Sequence, residues 1–403
     1  MLVKGKVIFM LGIAKFDGQF ESTSYTMAKY LAQDNDVYYI DYPYTWKDYF
    51  VKRSEGFYTR KKYFKKKPVE VINTEVAKLK VVIVPPLLSI NFIPEGKLYR
   101  FLLRLNEKTI FERIKQVITK YKVTDFIYIN SSNFHYPNIG PLLNPKLSVY
   151  HCVDPIIGSY DATHGRISED QIVHKADLII CTSKQLFREK VAVNPASYFV
   201  PNAANLEFSA LARNPELQVN ERLNDIPKPV IGYFGNIERR INFDLLVEVA
   251  TCNPDKSFVF AGPVTESFVP LAFKNLDNVF FIGRVPYSEM PSVLKGFHIC
   301  MIPFKKDEVS NTIFPLKLFE YLGAGKPVIA TDFNPDLQDF TRDTVKYCAS
   351  AEDFNAALKS ILQFDDPAQF NARLQVASEN TWEVRFNQFS TLLNDFYTQS
   401  DRA

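Results

Sequence analysis

Short apolar runs recur along the whole chain, and most are separated by stretches with helical spacing. In the first half, residues 6–11, 37–41, 81–85, 125–130, 148–153, 176–183 and 198–202 have the length and β-rich character of strands, some with the following turn. Between them, residues 22–33 predict a helix with Met27, Tyr30 and Leu31 on one face, and residues 98–121 predict a long amphipathic helix. The pattern restarts after a polar stretch with Pro215, Pro227 and Pro229. Strands are then expected at 230–234, 257–262, 279–282, 297–304 and 327–331, with helices at 242–250 and 288–294 between them. Helices at 351–363, 367–377 and 382–397 close the chain. Strands alternating with helices predict an α/β protein of two doubly wound, Rossmann-like sheets. The expected boundaries are 1–210 for the first domain, 211–229 for a linker, 230–377 for the second domain and 378–403 for a terminal helix. A length of 403 residues fits two domains.

The most informative stretch follows the apolar run FHICMIPF at 297–304. A polar loop to Thr312 leads to Pro315, which suits the start of a helix because its missing N–H is not needed there. Gly323 and Gly325 end that helix, and Pro327 prevents its continuation into the next strand. A helix N-terminus at the end of a parallel sheet binds anions through its N–H groups and dipole. Lys317 adds a point charge in the first turn. Glu320, one turn further, can accept hydrogen bonds from two adjacent sugar hydroxyls. A phosphate end beside a diol end describes a nucleoside diphosphate. A second candidate phosphate site is the turn of Gly235 and Asn236 with Arg239 and Arg240, just before a helix.

The residues PLKLFEYLGAGKPVIAT, 315–331, resemble the donor-site motif of GT-B glycosyltransferases of families 4 and 1. KADLIICTSKQL and YFVPNAAN resemble the last two strands of the N-terminal domain in that fold, and SVYHCVDP an element whose acidic or His residue faces the reacting sugar. The resemblance implies two Rossmann-like domains facing a central cleft, with the last helix packing back on the first domain. It implies that Glu320 grips the donor ribose, that backbone around Leu316 binds the diphosphate, and that Arg284 and Val285 lie around the donor base. Asn236 stands where the family usually has Arg, so Arg239 or Arg240 must supply that charge. Thr312 stands where many members have a Glu near the donor sugar, leaving Asn311, Thr312 and nearby N–H groups to hold the sugar. On the acceptor side, Asp154 lies at the carboxyl end of its strand and is the first catalytic candidate, with His151 the second. Strand alternation puts those two on opposite faces, and a structural role for His151 is the competing reading. Gly18 belongs to the first loop, at the cleft in such enzymes.

The implied activity is transfer of a sugar from a nucleotide-diphosphate donor to a glycan or lipid-linked acceptor, in bacterial teichuronic-acid or exopolysaccharide synthesis. Retention of configuration is expected, with no cofactor and no metal, the cations taking that role. The alternatives are a non-catalytic sugar-binding scaffold and a sugar-nucleotide 2-epimerase. Asp34-Asn35-Asp36 precedes its strand and reads as a turn, and no Cys/His cluster of metal-binding spacing occurs.

Charge changes the picture in one place. The net charge is +3, yet residues 1–200 carry an excess of about ten positive charges. Much of it falls in residues 42–68, where aromatic residues from Tyr42 to Phe64 interleave with Lys52, Arg53, Arg60, Lys61, Lys62 and Lys65–Lys67. This mixture suits an anionic membrane interface. Nucleic acid, which the same residue types could also bind, is not the expected partner, and a solvated loop is the plain alternative. The five cysteines lie far apart, several within apolar runs, which fits buried thiols in the cytoplasm. No signal peptide or membrane-spanning run is evident. The expected location is cytoplasmic, with the inner face of the plasma membrane as a peripheral site.

Overall fold

The structure, a computed structural model, describes residues 1–18, 22–51, 55–65, 67–156, 159–364 and 366–399. Lys52, Arg53 and Lys66 of the basic-aromatic segment lie outside the described residues. The chain forms two compact units, Met1–Pro201 with Phe386–Ala403, and Asn202–Arg385.

The first unit runs β1 (Val7–Gly12), α1 (Thr23–Leu31), β2 (Asp36–Ile40), α2 (Trp46–Val51), α3 (Glu55–Lys61), β3 (Ile72–Asn73), β4 (Leu79–Val82) and α4 (Lys97–Tyr121). It continues through β5 (Phe126–Ser131), α5 (Ile139–Leu143), β6 (Leu147–Cys152), α6 (Ser159–Lys175), β7 (Leu178–Cys181), α7 (Lys184–Val191) and β8 (Ser197–Phe199). The sheet order is β3-β4-β2-β1-β5-β6-β7-β8, all parallel except the short edge strand β3. Strand order therefore reverses between β1 and β5. α4 buries Tyr99, Leu103, Ile110, Ile114 and Val117 in the same core as Phe9, Leu11, Tyr38 and Tyr128 of the sheet. Full burial of each such side chain contributes about 1.5–3 kcal/mol.

The second unit runs α8 (Leu206–Ala210), β9 (Val230–Phe234), α9 (Phe243–Cys252), β10 (Ser257–Ala261), α10 (Leu271–Lys274), β11 (Val279–Gly283), α11 (Met290–Gly296), β12 (Ile299–Ile302) and α12 (Leu316–Gly323). β13 (Val328–Thr331), α13 (Gln338–Thr341), β14 (Val345–Cys348), α14 (Ala351–Gln363) and α15 (Pro367–Ser378) complete it. Its sheet is wholly parallel in the order β11-β10-β9-β12-β13-β14, the order of dinucleotide-binding folds, with the reversal between β9 and β12.

One expected boundary changes. The polar stretch expected as a linker is packed: Leu223 and Ile226 lie in the core of the second unit, and Asn220 Nδ2 donates to Glu289 (3.0 Å) and Ser292 (3.2 Å). The second unit accordingly begins at Asn202. The last helix, α16 (Trp382–Gln399), carries the chain from the second unit into the first. Its residues Phe389, Ser390 and Tyr397 meet the ring of His151, the N–H of Val3 and the ammonium of Lys6.

Most of the aromatic content of residues 42–68 also turns inward. Tyr44, Phe57 and Phe64 form a small core with Val81 and Ile83. Arg60 is only 1% exposed. Its Nε donates to Asp41 (2.5 Å) and its two terminal nitrogens clasp Asp17 (2.6 and 2.7 Å). The Arg60 bonds hold the Asp17 carboxyl below its ordinary pKa, while burial pushes that of Asp41 up against the same attraction. This residue, grouped by sequence with surface lysines, ties α3 to the loop after β1.

Candidate active site

In an open α/β sheet, ligands bind beyond the carboxyl ends of the strands where strand order reverses. In the second unit that place lies past β9 and β12. The two loops there are joined: Lys305 N–H donates to Arg240 O (2.7 Å) and Asn242 N–H to Pro303 O (2.8 Å). Gly235, directly after β9, has φ +145°, a conformation that favours glycine. A Cβ added to it would come 2.4 Å from Lys317 Nζ, so the amine of α12 lies directly over the glycine backbone. Next to it, Gly262 has φ +146°, and a Cβ there would meet Gly235 O at 2.1 Å. These two glycines let neighbouring strand ends approach one another and the lysine.

Lys317 Nζ donates to Tyr233 Oη (2.7 Å) and lies 4.2 Å from the centre of that ring and 5.4 Å from that of Phe304. Tyr233 Oη in turn donates to Asn236 O (3.0 Å). Burial, aided by the charge of Arg240, pulls the Lys317 pKa down to about 7, against the opposing pull of Glu320 and Glu238. Arg240 is paired with Glu238 and lies over Phe304 (5.6 Å). Arg239 is exposed. Of the two arginines offered by sequence, Arg240 is the one whose charge reaches Lys317.

α12 starts after Pro315 and is closed by Gly325 at φ +75°, with Lys326 N–H donating to Tyr321 O (3.0 Å). It buries Leu318, Phe319, Tyr321 and Leu322, which fixes the direction of Glu320. The Glu320 side chain is 8% exposed, and Tyr287 Oη donates to its Oε1 at 2.5 Å. Tyr287 is stacked on Phe208 of α8, centroids 5.0 Å apart. Sequence reasoning found neither tyrosine. Tyr287 is 33 residues from Glu320 and Tyr233 is 84 from Lys317, so no local spacing announces either contact. Val285 is buried, while Arg284 is exposed and its carbonyl accepts from Arg222 (2.8 Å). Thr312 is buried with its hydroxyl on Val309 O (2.7 Å), and Asn311 is exposed. Leu316 is half-buried at the start of α12.

The second unit thus holds a cation, a glycine turn and a carboxylate together. Residues 228–364 match the family described as glycosyl transferases group 1. The second unit is a group 1 glycosyltransferase domain. The chain, a glycosyltransferase, is 28% identical over 276 residues to TuaH of Bacillus subtilis (strain 168), provisionally named a teichuronic acid biosynthesis glycosyltransferase, covering 63% of this chain and 68% of that one. Sucrose-phosphate synthase from Thermosynechococcus elongatus has the same fold, with TM-score 0.66, 17% identity and coverage of 98% and 100% of the two chains. HepE of Anabaena, solved with UDP, superposes with TM-score 0.63, 13% identity and coverage of 97% and 100%. The glycosyltransferase is therefore of the GT-B fold class.

In its first unit, His151 is not placed to react. It is 2% exposed, its Nδ1 lies 2.9 Å from Ser131 Oγ, and its ring meets Phe389 edge-on at 5.1 Å. Burial lowers its pKa to about 3, so it is neutral and structural at physiological pH. Asp154 is exposed, just past β6. The preceding residue is held from both sides: Val153 N–H donates to Ser132 Oγ (2.6 Å), and Thr182 Oγ1 donates to Val153 O (2.5 Å). Gly18 is exposed, its N–H on Lys15 O (3.1 Å).

For any diphosphate bound beside Lys317, the environment of the lysine predicts a pH-dependent affinity. A bound diphosphate would raise the lysine pKa above its unliganded value of about 7, so binding takes up a proton. Affinity is then fully present below pH 7 and falls as pH rises, by up to about tenfold per unit, until the bound-state pKa is reached. Titration calorimetry between pH 6.5 and 9 in buffers of different ionisation enthalpy checks this, and Lys317→Arg is expected to flatten the profile.

Proposed function

We propose that this glycosyltransferase moves a sugar from a nucleoside-diphosphate donor to a glycan or lipid-linked acceptor in cell-surface polysaccharide synthesis, with retention and without a metal. The observation that carries the donor assignment is the pairing of Lys317, seated over Gly235, with Glu320 one turn along the same helix. Lys317 and Arg240 would meet the charge growing on the leaving diphosphate. Glu320, steadied by Tyr287, would take the ribose hydroxyls. Arg284, Val285, Asn311 and Thr312 would border the base and the sugar, and Asp154 would serve the acceptor. The name of TuaH supports an envelope polysaccharide as the product, and HepE with UDP supports the donor class.

A thermal-shift screen with UDP, GDP, dTDP, ADP and CMP tests the donor assignment. One diphosphate is expected to raise the melting temperature, since a ligand of the native state stabilises it in proportion to ln(1 + [L]/Kd). Glu320→Ala should weaken that ligand about ten- to a hundredfold, the usual effect of losing hydrogen bonds to a charged group. An equal response in native and variant protein would remove Glu320 from the donor site.

A further inference from the structure

We infer that the first unit docks on an anionic phospholipid bilayer through one surface built from α2, the segment 87–92 and the N-terminal half of α4. This extends well beyond residues 42–68, because the decisive side chains are elsewhere. α4 buries Tyr99, Leu103 and Asn106 on one face, yet Leu98, Phe101 and Leu105 recur at helical spacing on the opposite face, exposed to 62, 58 and 42%. Beside them Phe92 is 81% exposed, and on α2 Phe50 and Val51 are 71% and 70% exposed. The segments that carry these positions pack against one another. Thr45 bridges to Leu87, Lys47 N–H donates to Ser89 Oγ (3.1 Å), and Asn106 of α4 both accepts from and donates to the Leu88 backbone (2.8 and 3.1 Å).

The fully exposed charges on these segments and at the end of α3 are positive, the exposed acid Glu112 lying one turn further along α4. Lys47, Lys61, Lys62, Lys97, Arg104 and Lys108 are exposed. The nearby acids Asp48, Glu95 and Glu107 each face an internal partner: Thr45, the pair of Arg100 and His164, and Asn138 respectively. Aromatic and basic groups alone would also suit single-stranded nucleic acid. Leu98, Leu105 and Val51 do not, since aliphatic side chains give bases no stacking surface and gain only from entering hydrocarbon. Apolar projections ringed by cations match the interface of an anionic leaflet.

The test is flotation of the full-length protein with phosphatidylcholine vesicles and with vesicles of phosphatidylcholine and phosphatidylglycerol in a roughly 70:30 ratio, a choice that tests the anionic-lipid dependence. Association with the anionic vesicles is expected to be at least about tenfold stronger, and to weaken at high salt. The double variant Phe92→Ser/Phe101→Ser should lose about tenfold or more of it, because two apolar insertions disappear. Leu271→Ser, an exposed leucine of the second unit, should float like the native protein. Unchanged melting of each variant establishes that it is folded. The proposal is overturned by absence of flotation, by equal binding to both vesicles, by a double variant equal to the native protein, or by single-stranded RNA binding without vesicle binding. None of these readouts depends on the donor assignment.

Discussion

Replacing Lys317 with Met is expected to cut transfer sharply while making the unliganded protein more stable. The lysine is half-buried over two aromatic rings, and its pKa of about 7 lies well below the ordinary lysine value of 10.5. For a base, a folded pKa below the unfolded one means that the charged form is penalised in the native state. That penalty is complete below pH 7 and disappears as pH rises toward the unfolded value. Met fills the same volume without the charge, so the variant's melting temperature should exceed that of the native protein at pH 6 by a few degrees, about 2–4 °C per kcal/mol for a unit of this size. The gain should shrink toward pH 10. Transfer should fall about a hundred- to a thousandfold, the range found when one preorganised donor to developing charge is removed. Calorimetric melting of the unliganded protein and a coupled assay of diphosphate release separate the two effects. A variant that is inactive and less stable would mean that the lysine holds the fold rather than the donor.

The second large effect is expected at Arg60. Its guanidinium is enclosed and answers two carboxylates, of which Asp41 is 2% exposed. Arg60→Met leaves Asp41 without its buried cation, a change that typically costs about 3–5 kcal/mol. The loss should itself depend on pH. Burial already pushes the Asp41 pKa up, and without Arg60 it would rise further, so the variant's deficit should be smallest in acid and grow as pH rises through neutrality. Chemical denaturation at pH 5 and pH 8 checks the sign. A deficit that is small and equal at both would show that the pair contributes little.

The sheets were readable from sequence because each strand is a short apolar run bounded by Gly, Pro or polar residues. FHICMIPF and the Gly-Ala-Gly-Lys-Pro segment are the clearest cases. The placement of Lys317 and Glu320 on one short helix was readable too, because their spacing is local. What was not readable depends on distant contacts. Arg60 sits in a run of lysines, and only Asp41 and Asp17, 19 and 43 residues away, make it a buried residue. Leu223 and Ile226 were concealed by the polarity around them and read as part of a linker. β3 has only two residues, too short to show a period. His151 has the residue type of a catalyst, and only its neighbours Ser131 and Phe389 show that it is enclosed.

The first unit takes its chain from two separate stretches of the sequence. Phe386 through Gln399 join a sheet whose last strand ended near residue 199. Phe389, Ser390 and Tyr397 complete contacts made by His151, Val3 and Lys6. During synthesis, the residues that cover this side of the first sheet follow the whole second unit out of the ribosome. At about 5–20 residues per second, roughly ten to forty seconds separate the end of β8 from the arrival of Phe386. For that interval the apolar surface awaiting the last helix stands open, and the whole second unit, an insertion in the topology of the first, emerges before that surface is covered. The first unit can therefore close only after the second has been made, an order that the numbering does not suggest.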